Sequence, residues 1–225
     1  VNANGKFNGQ VRFMEADLEK PLRTRKPTVW SVWNDLFHKT VTDEQIGDAF
    51  AVMLRAPRHR FLILTKRPER MAEWFRGFYT GQQPSKNVAL GTTVGHPDSL
   101  WRIGELLKCP AAMRSLSVEP LLEELDLTTY LTPADRDHIG EDYGTWVAGK
   151  WQPPLDQLII GPETGPGARP CKLEWIESLV DQADAAGLAV FVKAFPIDGR
   201  VSKDMAEWPE WARRREFPEW GGDDG

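Results

Sequence analysis

Phe61-Leu62-Ile63-Leu64-Thr65-Lys66-Arg67-Pro68-Glu69-Arg70-Met71 decides how this chain folds. Four consecutive apolar residues read as a strand covered on both faces, and Thr65-Lys66-Arg67 end it. Pro68 then sits at a favoured first-turn position, and Met71, Trp74, Phe75 and Phe78 fall on one face of the helix that follows. Strand, polar corner and amphipathic helix together make a βα unit. Towards the amino end the same pattern precedes it as Thr28-Val29-Trp30-Ser31-Val32-Trp33 then Asn34-Asp35. Towards the carboxyl end it recurs as Val88-Ala89-Leu90-Gly91 then Thr92-Thr93, and as Leu116-Ser117-Val118 then Glu119. Leu158-Ile159-Ile160-Gly161 then Glu163-Thr164, and Leu188-Ala189-Val190-Phe191-Val192 then Lys193, complete the series.

Strands apolar on both faces that alternate with helices predict an α/β fold with a parallel sheet. The helix signals agree with one another. Thr42-Asp43-Glu44-Gln45 is a capping-box sequence ahead of the stripe Ile46, Ala49, Phe50 and Met53, with Pro57 beyond. A helix from about Asp98 to Lys108 carries Leu100, Ile103 and Leu107, and one from Leu173 to Ala186 carries Ile176, Leu179, Val180 and Ala183 ahead of Gly187. Near the amino end, Gln10-Val11-Arg12-Phe13 has strand character. The expected architecture is an incomplete (β/α) TIM-like barrel of about six to seven parallel strands, with chemistry at their carboxyl ends. Residues 1–197 form the barrel-like domain. An insertion at 128–154, punctuated by Pro and Gly, makes a lid or hairpin on its rim, and 198–225 make a Trp- and Pro-rich tail packing on the barrel, disordered at its end.

Composition narrows the function. With 225 residues, 27% charged and 41% hydrophobic, the chain suits one globular domain. A net charge of -5 argues against coating extended nucleic acid by charge alone. No apolar stretch reaches a membrane span and no signal-peptide core is present, so a cytoplasmic location is expected. Two cysteines, Cys109 and Cys171, make no disulfide framework.

The strand-end residues are the candidate site. Asn34, Asp35 and His38 leave the first strand as an amide, a carboxylate and an imidazole, which suits either a hydrogen-bonding corner or a tight turn. Lys66 and Arg67 beside a helix start, together with Arg169, suit a carboxylate or phosphate; an ion pair with a neighbouring carboxylate is the alternative. Pro120 restricts Glu119 to extended backbone. Gly161-Pro162-Glu163-Thr164-Gly165-Pro166-Gly167-Ala168-Arg169-Pro170 is a shaped loop without the Gly-Lys-Ser/Thr ending of a P-loop. Lys193 is left to pair with Glu119 or Glu163, or to sit in a pocket that lowers its pKa; pairing is the expectation.

Taken in order, Asn34-Asp35-Leu36-Phe37-His38, Leu64 to Met71, Leu90-Gly91-Thr92-Thr93-Val94, Ser117-Val118-Glu119-Pro120-Leu121-Leu122 and Gly165 to Pro170 resemble an uncharacterised family of bacteriophage and prophage proteins. That family looks like radical S-adenosylmethionine enzymes on an incomplete (β/α) barrel, and the likeness runs from about Phe7 to Phe195. The resemblance implies S-adenosylmethionine and a [4Fe-4S] cluster held by an additional three-cysteine segment, its last two cysteines spaced CxxC and followed by Tyr-Ala. It implies that Thr92, Thr93, Ser117, Glu119 and Glu163 line the pocket facing S-adenosylmethionine and a nucleotide, nucleic-acid-related or small substrate; Thr92, Thr93 and Ser117 are the cofactor candidates and Glu119, Glu163 and Lys193 the catalytic ones.

The three-cysteine segment is not in this sequence. Either Val1 lies inside a longer or split reading frame, with the segment upstream or on a partner, or this is a shortened homologue; as given, the chain is expected to hold no cluster of its own. Two other readings compete. One is a metal-dependent hydrolase using Asp35, Glu119 and Glu163 as oxygen ligands. The other is a binder holding a nucleotide or phosphate through Lys66, Arg67, Arg70 and Arg169, with its aromatic tail on a partner.

Overall fold

The computed structural model describes residues 13–32, 35–78, 85–132, 145–147, 150–152 and 154–219. Two short helices, α1 (Glu15–Leu18) and α2 (Lys20–Arg23), lead into strand β1 (Val29–Val32). Then follow α3 (Asp43–Arg55), β2 (Arg60–Thr65), α4 (Pro68–Phe78), β3 (Val88–Thr93), α5 (Trp101–Leu107) and β4 (Met113–Val118). The insertion contributes α6 (Thr128–Leu131) and the antiparallel pair β5 (Thr145–Val147) and β6 (Lys150–Gln152). The chain returns with β7 (Gln157–Ile160), α7 (Leu173–Ala186) and β8 (Ala189–Val192), and adds a hairpin of β9 (Phe195–Ile197) and β10 (Arg200–Ser202). Of the expected strand at Gln10–Phe13, only Phe13 lies within the described residues, and it is not in a strand.

The main sheet has six strands in the order β1-β2-β3-β4-β7-β8, every neighbouring pair parallel. Each strand adds beside the previous one and never doubles back. Right-handed crossovers in one continuing direction put the helices on a single face, and the sheet curls into a half-barrel. The apolar stripes meet there. Ile46, Ala49, Phe50 and Met53 of α3 and Met71, Trp74 and Phe75 of α4 are all buried, and Phe50 stacks on Trp74 with ring centroids 5.0 Å apart. The capping box of α3 is formed, with Gln45 N donating to Thr42 Oγ1 at 3.2 Å and Thr42 N to Gln45 Oε1 at 3.0 Å.

The tail finishes the sheet at its far edge. Val192 N donates to Arg214 O and Glu216 N to Val190 O, so Arg214 to Glu216 lie antiparallel along β8. Trp208 is buried against Phe195, the rings stacked at 5.8 Å. Among the described residues, no helix is long and apolar enough to cross a membrane.

Candidate functional site at the carboxyl ends of the strands

Strand parity decides which side chains line the site. Paired residues in a parallel sheet point to the same face, and successive residues alternate. The register pairs Leu64 with Gly91, Gly91 with Ser115, Thr93 with Ser117, Ser117 with Ile159 and Ile159 with Phe191, so all of these lie on the concave face, away from the helices. Continuing the alternation past the strand ends puts Lys66, Glu119, Gly161 and Lys193 on the same face.

Thr92 and Thr93, both expected at the cofactor, must therefore part. Thr92 faces the helices, is fully buried, and donates from Oγ1 to Thr65 O at 2.9 Å. Its hydroxyl serves the fold, and Thr93 alone of the two reaches the concave side.

Thr93, Ser115 and Ser117 form a row there. Each residue is more than nine-tenths buried, yet none of their hydroxyls has a hydrogen-bond partner among the described residues. The hydroxyl oxygens themselves are not fully enclosed, so the row is open on the concave side to water or to a polar ligand. Ser115 owes its place partly to Gly91, where a Cβ would lie 2.6 Å from Ser115 Oγ and 2.8 Å from Ser115 O. Beyond the row, Lys193 Nζ donates to Glu119 Oε2 at 2.7 Å, settling which carboxylate Lys193 pairs with. These residues follow β4 and β8, with β7 between them. The pair passes over Gly161, where a Cβ would sit in ordinary contact, 3.5 Å from Glu119 Cγ and 3.6 Å from Lys193 Cβ. The Glu119–Pro120 peptide is cis.

The other candidates form separate clusters. Asp35 takes a hydrogen bond from Thr65 Oγ1 at 2.6 Å and one from Phe37 N at 3.1 Å, and it pairs with Arg67. Asn34 lies outside the described residues. His38 turns back on its own loop, Nδ1 lying 2.9 Å from Thr40 Oγ1. Arg70 binds the carbonyls of His38 and Val41 and holds the loop onto α4. Arg169 clasps Glu163 through Nε at 2.8 Å and Nη2 at 2.9 Å, and its backbone N–H adds a third bond at 2.8 Å. These bonds pull the Glu163 carboxyl down to about 2. Lys66 is exposed and has no partner among the described residues.

Of the four cations expected to hold an anion, Arg67, Arg70 and Arg169 are thus committed within the protein. Asp35, Glu119 and Glu163 each face their own cation, and among the described residues no three His, Cys, Asp or Glu side chains converge on a metal position. The thiols do not come together either. Cys109 precedes β4, at the amino ends of the strands, where burial pushes it up to about 12. Cys171 precedes α7 and is pushed up to about 11 by burial. These two residues do not fit a three-thiolate cluster.

Sequence reasoning missed Ser115, and Gly91 beside it, as site-forming residues. Period-2 counting along β3 and β4 was the available signal.

A singly wound α/β half-barrel with an unpartnered polar row inside its carboxyl end is the class of protein that fold and site define. The chain belongs to the family described as a protein of unknown function, DUF5131, whose model matches residues 2–212. Comparison with curated proteins and with solved structures gave no match.

Proposed function

We propose that this chain is the barrel of a radical S-adenosylmethionine-type enzyme, and that S-adenosylmethionine lies on the concave face over the ends of β3, β4 and β7. The observation that carries this reading is the row of hydroxyls of Thr93, Ser115 and Ser117, on mostly buried residues and without partners among the described residues, on the same face as the Glu119 carboxylate. A nucleoside offers hydroxyl and ring-nitrogen partners to such a row, and a sulfonium offers Glu119 a positive charge. Gly91 and Gly161 keep large side chains off the same surface. Bound S-adenosylmethionine supplies the reactive group in this enzyme class; the residues of this chain bind and orient it and limit access of water. Since Cys109 and Cys171 do not fit an iron-sulfur cluster, no step is assigned to one.

Equilibrium dialysis of the full chain against S-adenosylmethionine and S-adenosylhomocysteine tests the reading. Glu119→Gln is expected to weaken the sulfonium ligand about tenfold while leaving the neutral thioether nearly unchanged. Replacing both Thr93 and Ser117 by Val is expected to weaken both ligands. Failure of the unaltered chain to bind either one at millimolar concentration refutes the proposal.

A further inference from the structure

We infer that Lys193 anchors the phosphate group of a second ligand, a nucleotide, and that its ion pair with Glu119 is a latch released when a cationic group takes Glu119. The proposed reading enters only in naming that cationic group as part of S-adenosylmethionine. The pair is asymmetric. Side-chain exposure is 19% for Glu119 and 47% for Lys193, so the carboxylate is fixed in the wall and the ammonium reaches it from the solvent side. A flexible four-carbon stem lets Lys193 leave without any strand moving, and among the described residues its ammonium gives one of its three donors, to Glu119.

The arginines near the mouth lack this freedom. Arg67 is held by Asp35 and Arg169 by Glu163. Arg215 donates to Lys193 O and lies over the rings of Phe191, at 4.6 Å, and Trp208, at 5.3 Å. Lys66, at the end of β2 on the same face, has no partner among the described residues. Lys193, latched to Glu119 on the solvent side of the row, is therefore the ammonium placed to meet a phosphate there. A phosphate ester supplies acceptors for the Lys193 ammonium and leaves the hydroxyl row to the other ligand. While Glu119 holds Lys193, the oxyanion meets a neutralised site. Once a cation occupies Glu119, Lys193 is available, which makes binding of the two ligands mutually supportive.

Calorimetric titration of the full chain with 5′-AMP and with adenosine tests the latch without S-adenosylmethionine. Glu119→Gln is expected to tighten AMP about tenfold and to leave adenosine unchanged. Lys193→Met is expected to erase the preference for AMP over adenosine, alone and combined with Glu119→Gln. Thermal melting confirms that each variant is folded, and Lys193→Met, at a half-exposed position, reports even if Glu119→Gln does not fold. An AMP preference that survives Lys193→Met overturns the anchor, and unchanged AMP affinity in folded Glu119→Gln overturns the latch. Adding S-adenosylmethionine to the unaltered chain is expected to tighten AMP. If it fails to bind while the variant results hold, the cofactor reading falls and the phosphate anchor stands.

Discussion

Gly95 and Gly161 both lie at the carboxyl side of the sheet, and they are small for different reasons. At Gly95 a Cβ would stand 2.0 Å from Pro120 O, a backbone atom fixed by the chain's return, with Leu122 N donating to Gly95 O at 2.9 Å. At Gly161 the nearest atoms are side-chain carbons at 3.5 and 3.6 Å, an ordinary contact. Gly95→Ala is therefore expected to cost about 3 kcal/mol in urea denaturation, whereas Gly161→Ala should change stability by less than about 1 kcal/mol. Equal losses would contradict the close approach at Gly95. The two thiols give a second prediction. Cys171, raised from its ordinary 9.0 to about 11, should react with iodoacetamide at pH 8 about a hundredfold more slowly than a free thiol, and Cys109 more slowly still. Both should reach the free-thiol rate in guanidinium; fast labelling of the folded chain would show that burial does not control them.

At the scale of elements, the loop between β7 and α7 is closed by the Glu163–Arg169 clasp. The folded Glu163 carboxyl lies at about 2 against an ordinary 4.5. A depressed carboxylate stabilises the fold above its unfolded value, and that contribution is lost as pH falls through the folded one. The clasp should accordingly hold at neutral pH and open as pH falls through about 2, its contribution to stability fading between about 4.5 and that value. Carboxyl NMR of Glu163 checks this, with Arg169→Gln expected to move the midpoint back towards 4.5. What was legible in the sequence follows the range of the forces involved. The capping box at Thr42, the Pro68 helix start and the apolar stripes are local signals, and they give α3, α4 and α7 within a few residues. The β9–β10 hairpin also had a local signal, overlooked inside the supposed tail: Asp198-Gly199, whose φ values of 48° and 76° suit a two-residue turn of the primed kind. Charges were the least legible. Arg67 and Arg169 look alike in sequence whether they face a ligand or a carboxylate brought in by folding, and only the chain's path put Asp35 and Glu163 against them.

At the scale of the whole molecule, the two edges of the half-barrel differ. Among the described residues, β1 pairs only with β2, and Val29 is 60% exposed, whereas β8 is covered by Arg214 to Glu216. An uncovered row of N–H and C=O groups is a template for unwanted pairing, so the tail belongs structurally to the sheet. Nothing local announces it, because Arg214-Arg215-Glu216 carries no strand pattern and its pairing depends on rings that anchor the segment elsewhere. Trp208, 1% exposed, stacks on Phe195, and Arg215 packs over it. If that anchor holds the edge strand in place, Trp208→Ala should cost about 3–5 kcal/mol, as expected for a large ring removed from a core. It should also speed amide exchange at Glu216 N, which donates to Val190 O, and at Val192 N, which donates to Arg214 O. Phe217, in edge contact with Phe191 but 65% exposed, is the control: Phe217→Ala should cost less than about 1 kcal/mol and leave those amides protected. Were the Trp208 variant to lose stability while exchange at the β8 edge stayed unchanged, the ring would be filling the core without anchoring the strand.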